Sequence, residues 1–246
     1  MVLDFSSVCR ALRRNGALVV VLVLFPLAGC KTAKTHSREG LERVSKKDYI
    51  GAITEYDQAI AKKPDDGNLY RLRGIAKYES SDYAGATADF TKAISLIPRD
   101  AESYKFRGDV KQNQKQYKAA IQDYNQAIAF QPNYAKAYNN RGLNKARLRD
   151  TKGAIADFSQ AISLQPDYSV AYLNRANLRM RQKQYPLALA DYDQAIALDP
   201  QMDEAFYNRG VLKYTQRKRK DACADWQRSF ELGNPQAGTA QQRFCK

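Results

Sequence analysis

The sequence predicts an all-α fold, an α-solenoid of six helix-turn-helix repeats plus a C-terminal capping helix. Three observations predict it. Six alanines recur at an unbroken spacing of 34 residues: Ala52, Ala86, Ala120, Ala154, Ala188 and Ala222. Aromatic and small residues keep the same step around them. A proline stands twelve residues after each of the first five alanines: Pro64, Pro98, Pro132, Pro166 and Pro200. A fixed period of this length marks units that cannot bury their apolar faces alone and therefore stack into an array.

Each block opens with a first helix. A small residue lies twelve positions before each alanine: Gly40, Gly74, Gly108, Gly142, Ala176 and Gly210. Four residues earlier, in five blocks, stands an aromatic: Tyr70, Tyr104, Tyr138, Tyr172 or Phe206. A short polar turn follows, such as Lys115-Gln116 or Arg149-Asp150. The second helix carries the alanine, then an aromatic at +4 (Tyr56, Phe90, Tyr124, Phe158, Tyr192 and Trp226), then a small residue at +7 (Ala59, Ala93, Ala127, Ala161, Ala195 and Ser229). Offsets of four and seven share one helical face. The proline then ends the helix, because it lacks an N–H and clashes with the preceding turn. Glycine costs a helix about 1 kcal/mol against alanine. That cost is tolerable if each glycine faces the alanine of its own block and lets the two helices approach closely.

These blocks resemble tetratricopeptide repeats, in the variant with Asn-Arg-Gly in the first helix, here Asn140-Arg141-Gly142 and Asn208-Arg209-Gly210. The resemblance covers about residues 36–234. It implies a right-handed superhelix whose first helices line a concave groove that holds segments of partner proteins. It implies no catalytic residues. The departures lie at the ends. His36 takes the aromatic position of the first block, so its opening helix is expected to fray. In the last block Asn234 takes the proline position, with Pro235 beside it. The implied organisation is a signal peptide at 1–29, a tether at 30–36, six repeats at 37–234 and a capping helix at 235–246.

Residues 1–29 stand outside the period. Arg10, Arg13 and Arg14 precede an uncharged apolar run over 16–25, too short for a bilayer, which takes about 20 residues, but suited to a secretory signal core. Leu27-Ala28-Gly29-Cys30 resembles a bacterial lipobox. That resemblance implies cleavage before Cys30 and lipidation of its thiol, and two or three acyl chains anchor firmly where one does not. Lys31 in the next position points to the periplasmic face of the outer membrane. Two other arrangements stay open: a lipoprotein displayed at the surface to host or neighbouring-cell proteins, and an uncleaved anchor with a co-chaperone-like array in the cytosol.

Of the four cysteines, Cys9 leaves with the signal and Cys30 takes the lipid. Cys223 and Cys245 flank the turn at Gly233-Asn234-Pro235 and would meet in an antiparallel hairpin. A disulfide suits an oxidising compartment; two reduced, buried thiols are the alternative.

The chain carries a net charge of +14, and removing residues 1–29 takes away three arginines and Asp4, leaving +12. Much of this is periodic: Arg73, Arg107, Arg141, Arg175 and Arg209 step by 34, as do Asp89, Asp123, Asp157, Asp191 and Asp225. Such a set reads as a structural ladder. Off the period lie Arg217, Lys218, Arg219 and Lys220 at the last inter-helix turn, and Lys31, Lys34, Lys46 and Lys47 near the anchor. Most tyrosines occupy packing columns, so they are core rather than platforms for bases, and nucleic acid is not an expected partner. His36 is the only histidine, so no metal cluster or histidine triad is expected. No phosphate-binding glycine loop appears, and no cofactor is implied.

The groove then remains. One position before the periodic arginines of the last three full blocks stand Asn174 and Asn208, and with them Asn140. Their amides can donate to and accept from an extended backbone. The matching sites in earlier blocks hold Arg38, Leu72 and Phe106, of which the last two offer an apolar pocket. A membrane-anchored adaptor that binds proteins or peptide segments is the expected function.

Overall fold

The computed structural model describes residues 31–245; the proposed lipidation site Cys30 and the signal segment lie outside them. The described residues form thirteen α-helices, six antiparallel pairs followed by one last helix. They are α1 (Ala33–Ser45), α2 (Tyr49–Lys62), α3 (Gly67–Glu79), α4 (Tyr83–Leu96), α5 (Ala101–Asn113), α6 (Tyr117–Phe130) and α7 (Ala135–Arg147). After them come α8 (Thr151–Leu164), α9 (Ser169–Arg181), α10 (Tyr185–Leu198), α11 (Asp203–Thr215), α12 (Arg219–Glu231) and α13 (Pro235–Phe244). Among the described residues no helix is long and apolar enough to cross a membrane.

Local chemistry sets the helix ends. The second helices α2, α4 and α8 begin on Asp48, Asp82 and Asp150, whose carboxylates accept from the backbone N–H of Gly51, Gly85 and Gly153, each at 2.9 Å. That satisfies one of the N–H groups a helix start leaves unpaired. The turn inside each pair reverses through one left-handed residue: Lys47, Ser81, Lys115, Arg149, Lys183 and Arg217, with φ between 59° and 67°.

The expected glycine contact is met by a different partner. A Cβ on Gly40, Gly74, Gly108, Gly142 or Gly210 would lie 2.7–2.9 Å from the ring of Tyr56, Phe90, Tyr124, Phe158 or Trp226. The alanine of the block contributes its backbone, as Ala154 O does beneath Gly142. Glycine therefore makes room for the large aromatic that fills the space between paired helices. The alanine column, 0% exposed in all six blocks, packs beside it.

The periodic charges form a ladder across the array. Arg141 donates through Nε and a terminal nitrogen to both oxygens of Asp157, at 2.9 and 2.7 Å, and its remaining nitrogen reaches Asn125 Oδ1 on the preceding second helix. Arg73, Arg107, Arg175 and Arg209 repeat this grip on Asp89, Asp123, Asp191 and Asp225. They reach back to Asp57, Thr91, Ser159 and Asp193. A second cation closes on each buried aspartate: Lys77, Lys111, Lys145, Arg179 and Lys213. Each arginine also lies 5.2–5.7 Å over the aromatic three residues before it.

The first repeat departs from expectation. Its opening helix is fully formed; it starts at Ala33, inside the segment assigned to the tether, with the Thr32 hydroxyl accepting from Thr35 N. His36 is held by Glu55, Nδ1 to Oε2 2.8 Å, and this contact replaces the aromatic packing of the other blocks. At the other end, α13 covers α12. Phe244 meets Tyr214 and Trp226 with ring centroids 4.8 and 5.9 Å away, and the Cys223 and Cys245 sulfurs are joined at 1.98 Å.

Asp157→Ala will cost about 3–5 kcal/mol, because it strands Arg141 and Lys145 in a part-buried site. Hydrogen exchange should show the loss concentrated in α7 and α8; uniform protection there would contradict the ladder's role. Reducing Cys223–Cys245 reopens a chain loop worth roughly 3 kcal/mol in the chain-entropy model. Exchange in α13 is then expected to approach the unprotected rate while α1–α10 keep theirs.

Candidate functional site

Successive first helices of repeats two to six touch one another directly, which places them on the inner side of the curve. The column Arg38, Leu72, Phe106, Asn140, Asn174 and Asn208 runs along this face, and the structure divides it into two unlike halves.

In the N-terminal half the column is open at its first two positions. Arg38 and Leu72 line a cavity of about 550 Å³ with Leu41, Leu69, Lys34 and Lys63. Its floor is apolar and its rim is basic on balance, with Lys34, Arg38 and Lys63 against one acid, Asp66, among neutral polar groups. Leu41 is 49% exposed. Phe106 is not free for a ligand in the same way. It stacks on Phe90 with centroids 5.7 Å apart, and Lys105 Nζ stands 3.8 Å above its ring.

In the C-terminal half the asparagine amides are already engaged with the preceding repeat. Asn140 Nδ2 donates to Asp109 Oδ1 at 2.8 Å, Asn174 Nδ2 to Asn139 Oδ1 at 2.9 Å, and Asn208 Nδ2 to Asn177 Oδ1 at 3.0 Å. They tie neighbouring first helices together. Their positions fit the column; their donors face along the array. Asn177 and Asn208 still line a cavity of about 360 Å³ with Met180, Arg181, Tyr192 and Glu204.

Sequence reasoning missed Asp109, Asn139, Asn144 and Asn177, although a signal existed. For Asp109 and Asn177 it is an offset: at two of the three second-helix tyrosines the residue fifteen positions earlier is polar, while Tyr56 has Leu41 there. Tyr124 donates to Asp109 at 2.8 Å and Tyr192 to Asn177 at 2.7 Å. The phenylalanines Phe90 and Phe158 have Ile75 and Leu143 at that offset. A buried hydroxyl needs an acceptor, and a ring without one does not. Burial, then the Asp109 charge, pushes the Tyr124 hydroxyl far above its usual range, so it remains a donor to that carboxylate. Lys105 Nζ, 2.8 Å from the other Asp109 oxygen, balances the buried charge.

One polar atom in this network is left over. Asn144, fully buried, donates to Gln112 Oε1 and to the Asn140 carbonyl, but its Oδ1 has no partner. It borders a cavity of about 260 Å³ lined also by Asn113, Lys115, Tyr117, Leu143 and Arg147.

The basic turn belongs to a longer row. Arg217 is the last of the six left-handed turn residues, five of which are lysine or arginine and all of which are exposed on one edge of the array. Lys218 and Lys220 extend it, whereas Arg219 Nε donates to the Phe244 carbonyl and holds the capping helix. Around the first helix, Lys31 pairs with Glu39 and Lys46 with Glu42.

With helix pairs, groove and columns defined, the chain can be compared with known proteins. Profiles described as TPR repeat match residues 108–147 and 177–216, and tetratricopeptide-repeat profiles match 135–168 and 38–102. The chain is a tetratricopeptide-repeat protein. Such arrays typically act as non-enzymatic scaffolds that bind peptides or proteins in a groove. No curated protein sequence matches it. Among solved structures it is similar to PilF of Pseudomonas aeruginosa (18% identity, 86% of this chain and 97% of that one, TM-score 0.77). It is also similar to YrrB, described as a TPR protein with an unusual peptide-binding site (20%, 76% and 97%, TM-score 0.61), and to MamA (23%, 65% and 94%, TM-score 0.60). At these identities the likeness is one of fold.

Tyr124→Phe and Asp109→Leu are each expected to destabilise this tetratricopeptide array, and their double mutant to lose less than the sum. A coupling of about 0.5–3 kcal/mol is expected from a double-mutant cycle. Strict additivity would mean that the hydroxyl and carboxylate do not depend on each other.

Proposed function

We propose that this protein is a lipid-anchored adaptor, attached through Cys30 to the periplasmic face of the outer membrane, that holds segments of partner proteins in its concave groove during assembly of an envelope complex. The observation that carries the binding role is the open N-terminal half of the groove, where an exposed leucine and an apolar floor stand inside a basic rim. An amphipathic segment with an acidic residue complements that lining.

The address rests on the lipobox, on Lys31 and on the cysteine pair. The first helix begins three residues after Cys30, so an acylated Cys30 would hold the array against the bilayer with almost no slack. A disulfide that pins the last helix suits an oxidising compartment.

In-cell crosslinking and pull-down of the full chain should recover a partner that is lost both in Cys30→Ala and in an Arg38→Glu/Leu41→Asp variant, with at least a tenfold drop in yield expected for about 1.4 kcal/mol of lost binding. Both groove substitutions lie at exposed positions, so an unchanged thermal midpoint accompanies the loss. A partner that persists in the groove variant contradicts the groove reading. Metabolic acyl labelling that does not depend on Cys30 contradicts the anchor, and removal of the array by protease on whole cells points to surface display.

A further inference from the structure

From the way the first repeat breaks the charge ladder, we infer a divalent-metal site formed by His36, Glu39 and Glu55. In repeats two to six, three columns build one arrangement: an aromatic, an arginine three residues later, and an aspartate on the second helix. The arginine lies over the ring and is gripped by the carboxylate. In the first repeat all three columns change together. The aromatic becomes His36, the arginine becomes Glu39 and the aspartate becomes Glu55. The built-in cation is removed, and the residues around its place become one imidazole and two carboxylates.

The structure brings these groups together on facing helices. His36 Nδ1 and Glu55 Oε2 are 2.8 Å apart, and one ligand atom from each of the three residues lies within 4.8 Å of the others. Zinc ligands at about 2.0–2.2 Å in a tetrahedral arrangement sit roughly 3.4 Å from one another, so rotation of the Glu39 side chain closes the set. The side chains are 12%, 27% and 15% exposed, sheltered yet reachable by a hydrated ion. One nitrogen and two carboxylate donors suit Zn²⁺ or a similar first-row divalent cation, with a further position left for water.

At present two side chains supply the missing positive charge. Lys31 Nζ lies 2.6 Å from Glu39 Oε2 and is half exposed; Arg43 is mainly engaged by Asp48 at 2.6 Å and reaches Glu55 only at 3.7 Å. Lys31 is thus the group a metal displaces. It is the residue that follows the proposed lipidation site, so occupancy of this site would free the segment between anchor and array. The metal site itself does not depend on the anchor.

Equilibrium dialysis of the full chain in detergent against Zn²⁺ tests this, with hydrogen exchange in α1 and α2 as the structural readout. The wild-type chain is expected to bind one Zn²⁺ that slows exchange in both helices. His36→Ala should weaken binding at least about tenfold. Glu39→Arg, which restores the cation of the other repeats, should abolish binding while keeping or raising the thermal midpoint, so loss of fold does not explain the loss of metal. Lys31→Ala should tighten binding several-fold by removing the competitor. Zn²⁺ binding that is unchanged in His36→Ala and Glu39→Arg, or absent in the wild-type chain and in Lys31→Ala, overturns the inference.

Discussion

The arginine–aspartate grip inside each repeat is the interaction on which the array depends. It crosses from the first helix to the second, and the arginine's remaining nitrogen reaches the helix before, so one side chain fixes both the pair and its neighbour. The aspartates are buried, which removes them from water at a cost that only full pairing offsets. Two cations supply that pairing, and an aromatic face holds the arginine in place. The same constraint decides what the protein's charge is available for. Five arginines, five second cations and five aspartates are committed to structure, so the positive surface left over lies mainly at the exposed turns and around the first repeat.

A repeat array has two ends, and each lacks a neighbour. At the C-terminus the problem is met by addition: α13 covers α12, Phe244 enters an aromatic cluster with Tyr214 and Trp226, and Cys223–Cys245 ties the two helices. At the N-terminus it is met by substitution. No second helix precedes α1 among the described residues, so an arginine at position 39 would have had no helix to reach back to. The chain places glutamate there and draws Lys31 against it.

The groove shows how a binding surface and a packing interface compete for one column. Towards the C-terminus, asparagines bond to the preceding first helix, and a tyrosine hydroxyl joins the same network wherever its column admits one. That half is polar and cross-linked, with most of its hydrogen bonds made internally. Towards the N-terminus the column is arginine, leucine and phenylalanine, which lack the amide pair such a network uses, and apolar surface stays open beside Arg38 and Leu72. A protein segment gains more by burying that apolar floor than by exchanging one amide hydrogen bond for another.

The 34-residue period was sufficient to place the helices, the turns, the aromatic core and the ladder, because each depends on residues at fixed offsets within a block or between adjacent blocks. It also placed Asn140, Asn174 and Asn208 on one face. What it did not contain was the direction in which their amides point. That depends on the close approach of successive first helices, which brings side chains 31 to 35 residues apart into contact and so pairs Asn140 with Asp109 and Asn174 with Asn139. His36 was misread for a related reason. Standing where the other blocks have an aromatic, it suggested a fraying end, whereas the fold sets it against Glu55, nineteen residues away on the facing helix. Periodicity shows which positions are equivalent; only the packed superhelix decides which inequivalent side chains meet.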